Sequence, residues 1–295
     1  MPVSADRAFL RVLLVALAIA GFLGTVSLLL FVGIAPARSG LMVLRCLIDP
    51  VSSFDVVLHS SALGTTLLAG FGLLAGWRAG TRERAVAVEM RYAARKARLP
   101  RMPPRIVPIA HAVNVADQLD VVDVPRPFAF VYGWALPRIC ISMGLIDRLT
   151  DREVEAVLYH ERWHLLQRDP IRLVAIRVIA ATFPFVPPIR QLVHQCVLAT
   201  ELAADQHAVA AMGQPRWLAS ALAKVLDHEQ PTTVPALAGL TGERIAALAG
   251  EPVQIPSGLG RASAVILFVE FVALAAILLN GGAPLIAGFG LHPVC

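Results

Sequence analysis

The sequence predicts an α+β membrane protein: three transmembrane helices and, between the second and third, a cytoplasmic, mainly helical domain carrying a small β-sheet. Three observations predict it. Apolar residues make up 57% of the 295 positions and charged residues only 16%, against about 45–50% and about 25% in ordinary soluble domains. The mean hydropathy is +0.67, and three stretches are long and almost free of charge. The stretch between the second and third of these shows helix caps, short apolar runs and proline breaks, the marks of a folded insert. The same composition excludes disorder, and four cysteines in so long a chain exclude a disulfide-dense scaffold.

The first apolar stretch begins after Arg11 and is predicted to span as residues 12–35; the second is 56–77, with His59 as its only polar ionisable group. A spanning helix needs about 20 such residues. Ala35-Pro36-Ala37 resembles a signal-peptide cleavage site, but the apolar core is longer than the usual ~7–15 residues, which favours an uncleaved anchor. The third stretch runs from Ala262 to Leu291 and carries Glu270, a carboxylate that a bilayer interior requires to be paired. These spans divide the chain into residues 1–77, a domain at 78–261 and a final segment at 262–295.

Charge then predicts orientation. The net charge is +5, and its basic excess is concentrated just after Trp77, at Arg78, Arg82, Arg84, Arg91, Arg95, Lys96 and Arg98. Positive residues flank the inner side of a membrane, so residues 78–261 are expected in the cytoplasm of a plasma-membrane protein, with anionic lipid beside the basic run. No zinc knuckle, aromatic platform or helix-turn-helix pattern accompanies that run, so nucleic-acid binding is not expected. Cys140 and Cys196 fall on the reducing side as free thiols. Cys46 and Cys295 fall outside, where a disulfide between them is a hypothesis.

Within the insert, residues 79–98 read as a helix ended by Pro100, Pro103 and Pro104. β-like runs follow at Arg105–Ala110, Pro127–Tyr132 and Arg138–Ser142, the last two joined by a wide hairpin through Gly133 to Pro137. Thr150-Asp151-Arg152-Glu153 is a capping-box pattern opening a helix to about Gln167. Residues 171–189 read as a buried or interfacial hairpin, with a distorted fourth membrane segment as the alternative. A further helix is expected from Arg190 to Ala211 and a short one at Glu243–Ala249.

The first strong helix carries His160-Glu161-Arg162-Trp163-His164. Residues four apart share a helical face, so both imidazoles can converge on one ion. Glu161, one step round the helix, can reach a water on that ion. A catalytic zinc takes three protein ligands and keeps one open position; its water ionises near pH ~7. Glu161 is therefore the expected base, returning the proton to a leaving amine. A further histidine six residues on is excluded as third ligand because position 170 is proline. Glu201 and Asp205, four apart on the later helix among mostly apolar neighbours, offer the third ligand and a carboxylate to orient a ligand histidine.

His160-Glu161-x-x-His164 followed by Glu201-x-x-x-Asp205 resembles the membrane gluzincins, namely the BlaR/MecR-type antirepressor metallopeptidases and the related HtpX-like proteases. The resemblance extends to Phe128-Ala129-Phe130, Arg138-Ile139-Cys140-Ile141-Ser142, Gly144 to Leu149, and Glu243 to Leu248. It implies one zinc ion, a protein substrate, and an edge strand at Arg138, Ile139, Cys140, Ile141 and Ser142 pairing with an extended chain, as exposed strand edges do. Regulated cleavage of a winged-helix repressor is the preferred role. A housekeeping protease of HtpX type and a catalytically silent interaction module are the alternatives. The β-lactam-sensing members carry a penicillin-binding domain after the last span, with no counterpart here, so direct antibiotic sensing is not expected.

Transition-state stabilisation needs a further donor. Arg244 is chosen over His207, His228 and Arg216, although a structural ion pair is the commoner fate of such an arginine. His194 is a lesser candidate for a substitute ligand. Asp169, before Pro170, reads as a helix terminator.

Overall fold

The computed structural model describes residues 5–34, 52–184, 186–226 and 235–253. These form two compact units. Of the described residues, 5–11, 78–178, 192–226 and 235–253 belong to one, and 12–34, 52–77, 179–184 and 186–191 to the other. The helices are α1 (Ala5–Ile34), α2 (Ser52–Ala97), α3 (Ile106–Ala112), α4 (Met143–Arg148), α5 (Asp151–Gln167), α6 (Asp169–Thr182), α7 (Pro187–Met212), α8 (Arg216–Leu226) and α9 (Pro235–Leu248). Strands β1 (Leu119–Val122), β2 (Ala129–Tyr132) and β3 (Arg138–Ser142) form one sheet in the order β1-β3-β2.

The mainly helical character with a small sheet agrees with expectation; the three transmembrane helices do not. Among the described residues no helix is long and apolar enough to cross a membrane. Counting uncharged positions overlooked how they are used. In α1, Val12 and Ala16, inside the predicted span, are buried on a helix whose first two turns carry Asp6, Arg7 and Arg11. In α2, the apolar part continues without a break into the basic part, giving one rod of 46 residues. The third predicted span, with Glu270, lies outside the described residues, as do Cys46 and Cys295. The orientation derived from the spans loses its basis with them. Cys140 and Cys196 are free and buried.

β3 pairs parallel with β1 and antiparallel with β2. Side chains alternate across a strand, and the two faces have separate cores. Leu119, Val121, Ile139 and Ile141 join Ile106, Leu145, Ile146, Val154 and Leu158 on one face. Val122, Cys140 and Tyr132 join Ala94 of α2 on the other. Asp120 is buried on this second face and held by Tyr132, by Nε and Nη2 of Arg138 and by Arg98. Burial would raise its pKa, but these partners outweigh burial and lower it.

The hairpin from β2 to β3 turns at Gly133, whose φ of +93° suits glycine; a Cβ there would lie 2.7 Å from the Leu136 carbonyl oxygen. Two expectations fail locally. Arg105–Ala110 is not a strand: the Pro103 carbonyl accepts from the Ile106 and Val107 amides and starts helix α3. β1 is a strand the sequence reading missed, because Asp120 interrupts its apolar run.

Candidate active site

Helix α5 begins as the sequence predicts. Thr150 accepts from the Glu153 amide, and the Glu153 carboxylate accepts from the Thr150 amide. Glu153 also accepts from Ser220 and Lys224 of α8. Burial would raise its pKa, but these donors outweigh it and hold it at about 2. The helix is anchored at its entry, and Val154 and Leu158 lock its inner face into the core. Two turns further on, His160, Glu161 and His164 are all buried.

Helix α7 supplies the facing acids, and the structure brings His160, His164 and Glu201 together with one ligand atom each within 4.8 Å of the others. The two Nε2 atoms lie 3.1 Å apart. Glu201 Oε2 lies 3.6 Å from His160 Nε2, and Glu201 Oε1 lies 3.7 Å from His164 Nε2. Ligands at about 2.0–2.1 Å in tetrahedral array are about 3.3–3.4 Å apart, so the spacing fits one zinc-sized ion.

The outer ring nitrogens sharpen the fit. His164 Nδ1 donates to Asp169 Oδ2 at 2.8 Å. His160 Nδ1 lies 2.8 Å from Asp205 Oδ1, although the ring N–H is not aimed squarely enough for a directed hydrogen bond. With both Nδ1 protons turned toward carboxylates, both Nε2 atoms present lone pairs to each other. Two ring nitrogens at 3.1 Å beside a carboxylate need a proton or a metal cation between them. The field agrees. Burial would lower the pKa of His164, but the Asp169 bond and the charges of Glu201 and Glu161 push it up to about 9. Glu161 is raised by burial, against the pull of both histidines, which suits a group that must hold a proton and release it.

Arg244 of α9 completes the ring of charges. It donates from Nε and Nη2 to Asp205 at 2.9 and 2.7 Å, and its Nη1 lies 3.0 Å from Glu201 Oε2. The guanidinium is committed to these two carboxylates, the structural pairing rather than a free transition-state donor. Asp205 would be raised by burial but is held at about 2 by the His160 contact and Arg244.

Other candidates fall away. His194 is exposed, His207 stacks on Trp163 at 5.2 Å between ring centres, Arg216 stacks on the Trp217 ring, and His228 lies outside the described residues. The expected edge strand is also corrected. Arg138, Ile139, Cys140, Ile141 and Ser142 form the central strand β3, occupied on both sides. Beyond β1 the Leu99 amide donates to the Val121 carbonyl and the Asp123 amide to the Ala97 carbonyl, covering that edge. The edge left open among the described residues is β2, which packs against α5.

Asp169 was missed as a functional residue. Arg168 ends α5 in the left-handed conformation, φ 54° and ψ 39°, and this turn swings Asp169 back under His164. The legible signal was a carboxylate just beyond the helix end, within reach of the last ligand.

Residues 93–187 match Peptidase family M48. The matched stretch contains His160, Glu161, His164 and Asp169, and ends before Glu201. Protease HtpX of Psychrobacter sp. is 35% identical over 77 residues, 25% of each chain. The Protease HtpX homolog of Methanothermobacter thermautotrophicus is 30% identical over 138 residues, covering 37% of this chain and 52% of that one. The homolog of Sulfurovum sp. is 24% identical over 147 residues, 40% of this chain and 53% of that one. The chain thus spans about half the length, or less, of these relatives. The likeness is to proteases, and it supports a metalloprotease.

Proposed function

We propose that this chain is a zinc metalloendopeptidase of HtpX-like type, with His160, His164 and Glu201 as metal ligands and Glu161 as general base. The observation that carries the reading is the pair of facing Nε2 atoms closed by the Glu201 carboxylate, with an acid beside the outer nitrogen of each histidine. When bound, the ion lowers the pKa of a coordinated water and polarises a substrate carbonyl.

The chain's own groups supply the rest. Glu161, desolvated beside both histidines, accepts the proton of the attacking water and passes it to the departing amine. Asp169 and Asp205 hold the imidazoles in the Nδ1-protonated tautomer. Arg244 ties Asp205 to Glu201, so the orienting acid and the acidic ligand move as one. An extended polypeptide adds to the open edge of β2 through main-chain hydrogen bonds, which make little demand on sequence. That mode suits unfolded chains, the housekeeping reading. Cleavage of a winged-helix repressor is the narrower proposal on the same site.

The test is the full-length chain with Glu161→Gln. Hydrolysis of an unfolded reporter should fall by about 10²–10⁴-fold while bound zinc, measured by elemental analysis, is unchanged. The inactive variant should retain its substrates: many unfolded chains support the broad reading, and one repressor the narrow one. Full hydrolysis by Glu161→Gln would overturn the mechanism.

A further inference from the structure

Asp169 is buried, its side chain 3% exposed, and as a carboxylate it needs a positive partner to balance its charge. If His164 Nε2 is engaged at the metal site, as proposed above, the ring is neutral. It then offers Asp169 a hydrogen bond but no positive charge. The cation that meets Asp169 is Arg172, one turn along α6, with Nη1 3.5 Å from Asp169 Oδ1. Cys196 feels both charges, but burial pushes its thiol up to about 11, so it stays neutral and leaves the balance to Arg172.

Arg172 is itself held from a distant part of the chain. Its Nη2 donates to Asp6 Oδ1 at 2.7 Å, and its guanidinium lies 4.9 Å from the centre of the Phe9 ring. Both residues belong to the first turns of α1, and Ala5 and Ala8 beside them are buried. All these groups lie in the same compact unit as His164. The order of contacts is Asp6 and Phe9 to Arg172, Arg172 to Asp169, Asp169 to His164. An arginine side chain has many rotamers, and two contacts from α1 restrict it to the one that faces Asp169.

We propose that the first turns of α1 are a control arm for the metal site, acting through Arg172 as a positioning residue. With the arm docked, Arg172 balances Asp169 and His164 is held firmly. With the arm withdrawn, Arg172 is released to solvent, Asp169 loses its counter-charge and the grip on the metal slackens. Anything that binds or displaces residues 5–11 therefore tunes the site without touching it. The inference rests on the proposed metal site.

The experiment measures zinc affinity of the full chain by competition with a chromophoric chelator, with the absorption bands of the cobalt(II)-loaded protein as a second readout of ligand geometry. Asp169→Asn, the reference, should weaken zinc by about 10–100-fold. Arg172→Gln should weaken it by about 5–20-fold, around the lower end of the range for outer contacts because it acts one contact further out, and shift the cobalt bands. Arg172→Lys should recover part of the loss by restoring the charge. Asp6→Asn should weaken zinc by about 2–3-fold, and add nothing in the Arg172→Gln background, since residues in one chain of contacts are non-additive. Asp6 is 77% exposed, so its variant folds even if the Arg172 variants do not, and it then decides alone. Unchanged affinity in Asp6→Asn, or in a folded Arg172→Gln while Asp169→Asn loses zinc, overturns the control arm and leaves the metal site standing. No zinc bound by the unaltered chain, or no effect of Asp169→Asn, overturns both.

Discussion

At the scale of single residues, the molecule uses buried carboxylates with assigned partners. Asp120, Glu153, Asp169 and Asp205 are all buried and all paired, as a buried charge must be to avoid a large desolvation cost. Glu153 gives a testable pH dependence. Its pKa of about 2 in the folded chain lies below the ~4.3 of an unfolded glutamate. Its stabilisation is therefore complete above about pH 4.3 and is lost as pH falls toward 2. The urea midpoint of Glu153→Gln should lie below that of the parent at pH 7, and the gap should close in acid. A gap independent of pH would show that Glu153 acts by packing alone. The convergence of the two histidines was legible because i,i+4 spacing on one face is a local property. Asp169 was not, because its role depends on the left-handed turn at Arg168, which no residue preference announces.

At the scale of elements, the capping box, the ends of α5 and strand β3 could be read from adjacent residues. The failures share one form: a partner outside the run itself decided the outcome. Ile106–Ala112 has β-branched residues but takes helical form from the Pro103 carbonyl. Leu119–Val122 becomes a strand because Asp120 finds two arginines and a tyrosine. The edge assignment failed because sequence shows a strand but not how many sides of it are paired. Gly144, at the start of α4, lies close against the 124–126 segment: a Cβ there would meet the Pro125 carbonyl oxygen. Gly144→Ala should cost about 1–3 kcal/mol, the usual range for overpacking, read as a lower thermal midpoint. An unchanged midpoint would mean that the 125–126 turn gives way freely.

At the scale of the whole molecule, the site draws on four helices, α5, α6, α7 and α9, so an ion gripped there ties the described elements together. Stripping the metal with a strong chelator should lower the thermal midpoint, and readding zinc at 100 times its dissociation constant should restore about 2.7 kcal/mol; a midpoint indifferent to zinc would argue against a preformed cage. Composition misled at this scale. Apolar content was taken as lipid-facing, whereas part of it, as at Val12 and Ala16, is buried. The turn at Arg168 has a broader implication. A non-glycine residue held there costs about 1–3 kcal/mol, and what it achieves is to bolt two rods through one imidazole. The segment from 164 to 169 thus lacks the usual tolerance of connections to lengthening, since an inserted residue would alter the joint and the chemistry in the same stroke.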